Sequence, residues 1–249
     1  MVFRIHEKPR AKRLEAYKII SEFKGYPCHL DPLNCSPKDV SVYLDTIKDE
    51  NDKEILSSLL LRCLAKAKYS TQNKKHFGLA SSSYCHFTSP IRRYPDLLVH
   101  RLIDRYFVEG DTSFNDDFKT MLSLRADLSS QRERRALTIE RATDSLLSCK
   151  LMKPFIGEKY LTKIVSMTDK GMFLQLDNGI EGFISFESLK DDYYIFDEET
   201  YIARGKRRGK IYHLGDSLEV ILDSVDLDKA QITFVTEKAK KEVDNFYLP

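Results

Sequence analysis

Several features that would place this chain in a specialised class are scarce or missing. Its five cysteines, at positions 28, 35, 63, 85 and 149, form no CxxC pair, and their odd number argues against a disulfide framework. Reduced, mostly buried thiols in a cytoplasmic protein are the expected state. No apolar run approaches the roughly 20 residues needed to span a bilayer. The N-terminus also lacks the basic–apolar–small order of a secretory leader, so no membrane partner is expected. Nor is there an excess of either charge: 40 basic against 38 acidic residues leave a net charge of +2. Clustering must then carry any electrostatic argument about partners. His76, His86 and His100 fit no common zinc spacing.

What is present is concentrated first in residues 76–101, where a helix start, two adjacent arginines and two prolines crowd together. Ser89 is a good N-cap and Pro90 suits the first helical position, because its missing N–H would be unpaired there anyway. Ile91 to Tyr94 are expected to form a helical turn that Pro95 ends or kinks. A second start with Asp96 in its first turn runs on to Gly110. Arg92 and Arg93 then flank a helix N-terminus, where free N–H groups and the dipole favour an anion. Guanidinium groups add a bidentate fit to phosphate. Residues alone suggest a phosphate site, set against the blander possibility of a solvated first turn.

Upstream, a short strand at 1–6 shows no visible partner, and a helix is expected from about Pro9 to Lys24 on Leu14, Tyr17, Ile20 and Ile19 or Phe23. A second opens at Ser36-Pro37, with Asp39 in its first turn. Val40, Tyr43, Leu44 and Ile47 form its buried stripe. A third is capped by Asn51 or Asp52 and buries Ile55, Leu59, Cys63 and Ala67. Downstream, a charged helix is expected from about Phe118 to Met152. From Gly157 the periodicity changes from 3.6 to 2, which sets a boundary near 154–158. Five short alternating strands follow, separated by turns at Asp177-Asn178-Gly179 and Asp226–Lys229, and they suit a small closed barrel of the OB type. Between two of them lies a long insert in which Arg204, Lys206, Arg207, Arg208 and Lys210 are interleaved with glycines. A run of this kind is either a solvated loop or a path for a polyanion, and beside an OB face RNA is the favoured reading.

The string HFTSPIRRYPDLLVHR at 86–101 resembles the signature of the RNB family, the ribonuclease II and ribonuclease R exoribonucleases. The order of glycines and aromatics from Gly157 to Asp226 resembles the S1-type RNA-binding domain. The insert, with its DDYY-F-D run before the basic stretch, resembles ribonuclease R more than ribonuclease II. The fold implied is α+β. Residues 1–153 would be the mostly helical C-terminal part of an RNB catalytic domain, 157–238 a five-stranded S1-type OB barrel, and 239–249 a tail, with a frayed surface helix around Lys238–Lys241.

The resemblance also assigns roles. Arg92 matches the arginine that holds the phosphate being cleaved, and Arg93 the basic residue beside it. Glu140, in the charged helix, matches a position that approaches RNA in some members. Phe173 matches an exposed aromatic of the S1 type, and one of Phe183 and Phe186 should face the core. Lys170 stands where many members have a second aromatic and Ser185 where many have histidine, so Lys170 offers a charge instead of a stacking face. The activity implied is Mg²⁺-dependent 3′–5′ hydrolysis of single-stranded RNA ends to nucleoside 5′-monophosphates, in RNA decay and processing. Two-metal hydrolysis needs clustered carboxylates, yet Asp39, Asp45, Asp49 and Asp52 carry only helix-surface spacing. The chain therefore reads as the C-terminal portion of such an enzyme, partnered by the missing N-terminal part of the catalytic domain. Alternatives are an inactive RNA-binding fragment or subunit, or a helical scaffold whose barrel binds protein.

Overall fold

Two periodicities in one chain build two kinds of core. The computed structural model describes residues 1–239 except Phe114 and Glu199. Two compact units emerge: Met1–Ser21, Gly25–Lys48 and Leu56–Thr138 form one, and Glu22–Lys24, Asp49–Ile55 and Ile139–Pro249 the other.

The first unit is built from helices. In α1 (Ala11–Phe23) the buried stripe is Leu14, Tyr17, Ile20 and Ser21, while Ile19 and Phe23 are exposed, so neither joins the stripe as expected. Helix α2 (Pro37–Asp45) opens with the anticipated cap: Ser36 Oγ accepts from the Asp39 N–H, and the Asp39 carboxylate accepts from the Ser36 N–H. In α3 (Glu50–Cys63) the cap is Asp49 instead of Asn51 or Asp52, since its Oδ1 accepts from the Asp52 N–H at 2.9 Å. The buried stripe is Leu56, Leu59, Leu60 and Cys63: Leu59 and Cys63 are as expected, Leu56 takes the place of Ile55, and Ala67 lies beyond the helix. The N-terminal strand does have a partner. Strand β1 (Phe3–Ile5) pairs antiparallel with β2 (Lys68–Ser70), a contact too distant in sequence for local patterning to reveal. Val2 and Tyr69 of this ribbon join Leu98, Val99, Leu122 and Ala126 in one buried cluster.

Helix α4 spans Tyr94–Ile103, continues through a π-helical turn at Asp104–Val108 and ends at the left-handed Gly110. Helix α5 (Asp116–Met152) is long because its polar side chains need no burial. From Gln131 to Leu147 every side chain except Glu133 and Leu146 is exposed.

In the second unit, β3 (Lys159–Thr168), β4 (Gly171–Gln175), β5 (Glu181–Ser185), β9 (Ser217–Asp226) and β10 (Gln231–Val235) close into a barrel of order β10-β5-β4-β3-β9. Ile164, Met172, Leu174, Ile184, Leu222 and Phe234 fill it. The insert is no loop. It folds as an antiparallel three-stranded sheet, β6 (Tyr194–Asp197), β7 (Ile202–Gly205) and β8 (Ile211–Tyr212). Its buried Tyr194 ring lies 5.1 Å from Tyr212 and 6.0 Å from the barrel's Phe186. Of the expected tail only Lys238 and the buried Ala239 can be described; Lys240 and Lys241 lie outside the described residues. No helix is long and apolar enough to cross a membrane among the described residues.

Candidate functional site

The signature folds differently from its local reading. Ser89 and Pro90 start only a turn, in which the Ser89 carbonyl accepts from the N–H groups of Arg92 (3.3 Å) and Arg93 (2.9 Å). The helix proper begins at Tyr94 with Arg93 as its cap residue, so Pro95 sits in the first helical turn and neither ends nor kinks it. Asp96 is the anchor. Its side chain is fully buried, and Oδ2 accepts from the Ser89 N–H at 2.8 Å and from Arg93 Nη2 at 2.9 Å. The anion favoured at this helix start is therefore the protein's own carboxylate. Arg93 is spent on it, and Arg92 is left exposed at the tip of a turn fixed from below. The sequence showed an acid in the first turn but not that it would be buried beneath the arginines.

A second layer supports the turn. The Tyr69 backbone N–H donates to Ser130 Oγ at 2.9 Å, and its hydroxyl meets His86 Nδ1 at 2.9 Å. Arg4 lies 4.7 Å from the centre of the Tyr69 ring and pairs with Glu133 at 2.6 Å. Burial pushes the His86 pKa down, and the Arg93 and Arg4 charges push it further, keeping the imidazole neutral near pH 7. The pairing of Arg4 with Glu133 spans most of the unit's sequence, so no local pattern announced it. His100 stacks on Phe87 at 4.2 Å and meets its carbonyl through Nε2 at 2.8 Å.

In the barrel, β4 and β5 set Phe173 directly opposite Phe183, with ring centroids 5.2 Å apart. Phe173 is exposed, Phe183 half-buried and Phe186 buried. Gly171 permits this pairing of strands, because a Cβ there would stand 2.2 Å from the Ile184 carbonyl and 2.7 Å from the Phe183 ring. Lys170 is exposed in the turn before β4. Glu140 is exposed on α5.

The cations of the insert divide by role. Arg204 is exposed on β7, and Lys206, Arg207 and Arg208 form the turn after it. Asp192 organises that turn: its carboxylate accepts from the backbone N–H groups of Tyr193 (2.7 Å), Arg207 (2.9 Å) and Arg208 (2.6 Å). Burial pushes the Asp192 carboxyl up, but these N–H groups outweigh it and leave the pKa below the usual carboxylate range. Gly205 is needed here, since a Cβ would fall 2.4 Å from Asp192 Oδ2. Lys210 has structural partners, with Nζ 2.8 Å from the Tyr212 hydroxyl and 3.8 Å from Asp191. Among the described residues no three His, Cys, Asp or Glu side chains converge to hold a metal ion, so this donor set does not fit the Mg²⁺ that the resemblance implies.

Comparison with known proteins finds a family match in each half of the chain. The model described as RNB domain matches residues 1–109, and that described as S1 RNA binding domain matches residues 153–236. Ribonuclease R 1 of Lactococcus lactis is 37% identical over 235 residues, which is 94% of this chain and 29% of that protein. Ribonuclease R of Escherichia coli is 35% identical over 258 residues, 97% of this chain and 31% of that protein. The structure of Mycoplasma genitalium RNase R in complex with ribose methylated single-stranded RNA superposes with a TM-score of 0.88 at 30% identity, covering 95% of this chain and 37% of that one. The chain thus spans about a third of the length of the relatives it matches.

Proposed function

The chain belongs to the RNB ribonuclease family and carries an S1 RNA-binding domain, and from that premise we propose that it serves as the C-terminal portion of a processive 3′–5′ exoribonuclease. The enzyme would release nucleoside 5′-monophosphates from single-stranded RNA ends in decay and processing, and the free, mostly buried thiols suit the cytoplasm. We divide it at 153–157, between the RNB portion and the barrel.

The observation that carries the reading is the turn at 89–93. An exposed guanidinium is held on a backbone that a buried carboxylate has already ordered, which supplies a preorganised charge for a phosphate. Arg92 clamps the scissile phosphate; Arg93 holds its place and adds positive potential beside it. Phe173 and Phe183 stack bases, Lys170 and the turn cations follow the backbone, and Glu140 reaches the strand from α5. Mg²⁺ belongs to residues outside this chain. Replacing Arg92 by Ala in an enzyme carrying the whole RNB domain is expected to lower turnover by about 10²–10³-fold with little change in RNA affinity. Equal losses in both would contradict the role.

A second reading, that the chain by itself binds RNA and cleaves none, is favoured by the lack of a carboxylate cluster among the described residues. A gel assay with labelled single-stranded RNA and Mg²⁺, run on this chain and on an enzyme carrying the whole RNB domain, separates the two: laddering by the latter favours the first reading and its absence the second. Binding without laddering is expected of the chain alone, and laddering would show that the metal ligands are present after all.

A further inference from the structure

Next to the paired rings of the barrel lies a cavity of about 680 Å³, within the range of small-ligand sites. Barrel residues Lys170, Phe183 and Ser185 line one part of it, and Tyr193 and Arg207 of the insert line another. Tyr193 is 64% exposed, unusual for so large a ring, yet its backbone is fixed on both sides. Its N–H donates to Asp192 at 2.7 Å, and its carbonyl accepts from the Lys206 N–H at 2.9 Å. Lys206 Nζ stands 4.9 Å from the ring centroid. An aromatic whose main chain is held this way needs no backbone ordering when a base stacks on it, and a cation is already beside it for the attached phosphate.

The charges around the cavity are mixed. Asp169, Glu187 and Asp191 line it together with Lys170 and Arg207. A bare phosphate inside would meet those carboxylates, whereas a base presents amino groups that carboxylates accept from, and its phosphates can remain with the cations. An acidic peptide would meet the same repulsion as a phosphate without the compensation of stacking.

We propose that Tyr193 is a further base-stacking platform and that the cavity between β5 and the insert holds one nucleotide of a single-stranded RNA, beyond the bases taken by Phe173 and Phe183. The assignment rests on the RNA-binding reading above and adds a subsite to it.

The chain has no tryptophan, so Tyr193→Trp introduces a single reporter. A single-stranded oligoadenylate is expected to quench its emission saturably, with the affinity that anisotropy gives for the unaltered chain. Heparin and polyphosphate, which carry charge but no bases, are expected to leave it unquenched. Tyr193→Ala should weaken binding by roughly 5- to 100-fold without altering the salt dependence, and Tyr193→Phe should stay within about 2-fold of the unaltered chain. If Phe173→Ala loses affinity while Tyr193→Ala does not, or if heparin or an acidic peptide quenches the reporter as RNA does, this subsite is refuted and the RNA reading stands. If the unaltered chain binds no RNA at low salt, both fall together.

Discussion

Asp96 shows how one side chain decides what its neighbours are free to do. By accepting from both the Ser89 N–H and Arg93, the buried carboxylate turns one of two adjacent arginines into scaffold and leaves the other for solvent. Replacing it with asparagine removes the charge but keeps the shape. The loss of a charge-assisted hydrogen bond network of this kind should cost about 1.5–3 kcal/mol. Urea denaturation of the chain, followed by a probe of the helical unit, measures it, and an unchanged midpoint would mean that the carboxylate is not the anchor. Asp192 plays the corresponding part in the insert, with backbone N–H groups in place of a guanidinium. Asp96 is visible in the sequence as an acid close to arginines, whereas Asp192 lies well upstream of the nearest one, Arg204. That they would hold turns in place depended on burial and backbone direction, which residue type does not encode.

Among elements, the ones read correctly from the sequence were those whose pattern is local. The α2 capping box, the length of α5 and the five barrel strands each follow from neighbours within a few residues. Local patterns also mislead, at the α3 cap and at Pro95, but the elements that escape the sequence are those whose partners are distant or whose strands are short. Strand β1 seemed alone because β2 lies more than sixty residues on, and β8 is only 2 residues long, which conceals the insert sheet among turn residues. Another element defined only by tertiary contact is the row of rings His6, His76, Tyr84, His86 and Tyr69, with successive centroids 5.2, 5.3, 5.8 and 5.5 Å apart. Burial lowers the pKa of each of the three histidines, and Arg4 adds to the effect in all of them; Asp96 and Glu133 oppose it at His86. A depressed folded-state pKa means that the unfolded chain binds protons first as pH falls. The stability contributed by the neutral rings is therefore complete above the ordinary value of 6.5 and is lost on acidification below it. Thermal melts at pH 7.5 and about 5.5 should show a lower midpoint for the helical unit at the acid value, and a midpoint that rises would contradict the burial of these imidazoles.

For the whole molecule, a net charge of +2 hides an uneven distribution that matters more than the total. The candidate contacts for a polyanion are a guanidinium on the 89–93 turn and the lysines and arginines at 170 and 204–208, with aromatic faces among the latter. Charge and stacking make separable contributions, because counterion release depends on salt and ring contact does not. A salt titration of single-stranded RNA binding, followed by anisotropy for the unaltered chain and for Phe173→Ala, separates them. Affinity is expected to fall linearly on logarithmic axes between about 50 and 200 mM salt, with Phe173→Ala weaker by about 1–3 kcal/mol throughout and parallel to the unaltered chain. Binding that is absent at the lowest salt, or identical in the two proteins, would contradict the RNA-binding reading of the barrel.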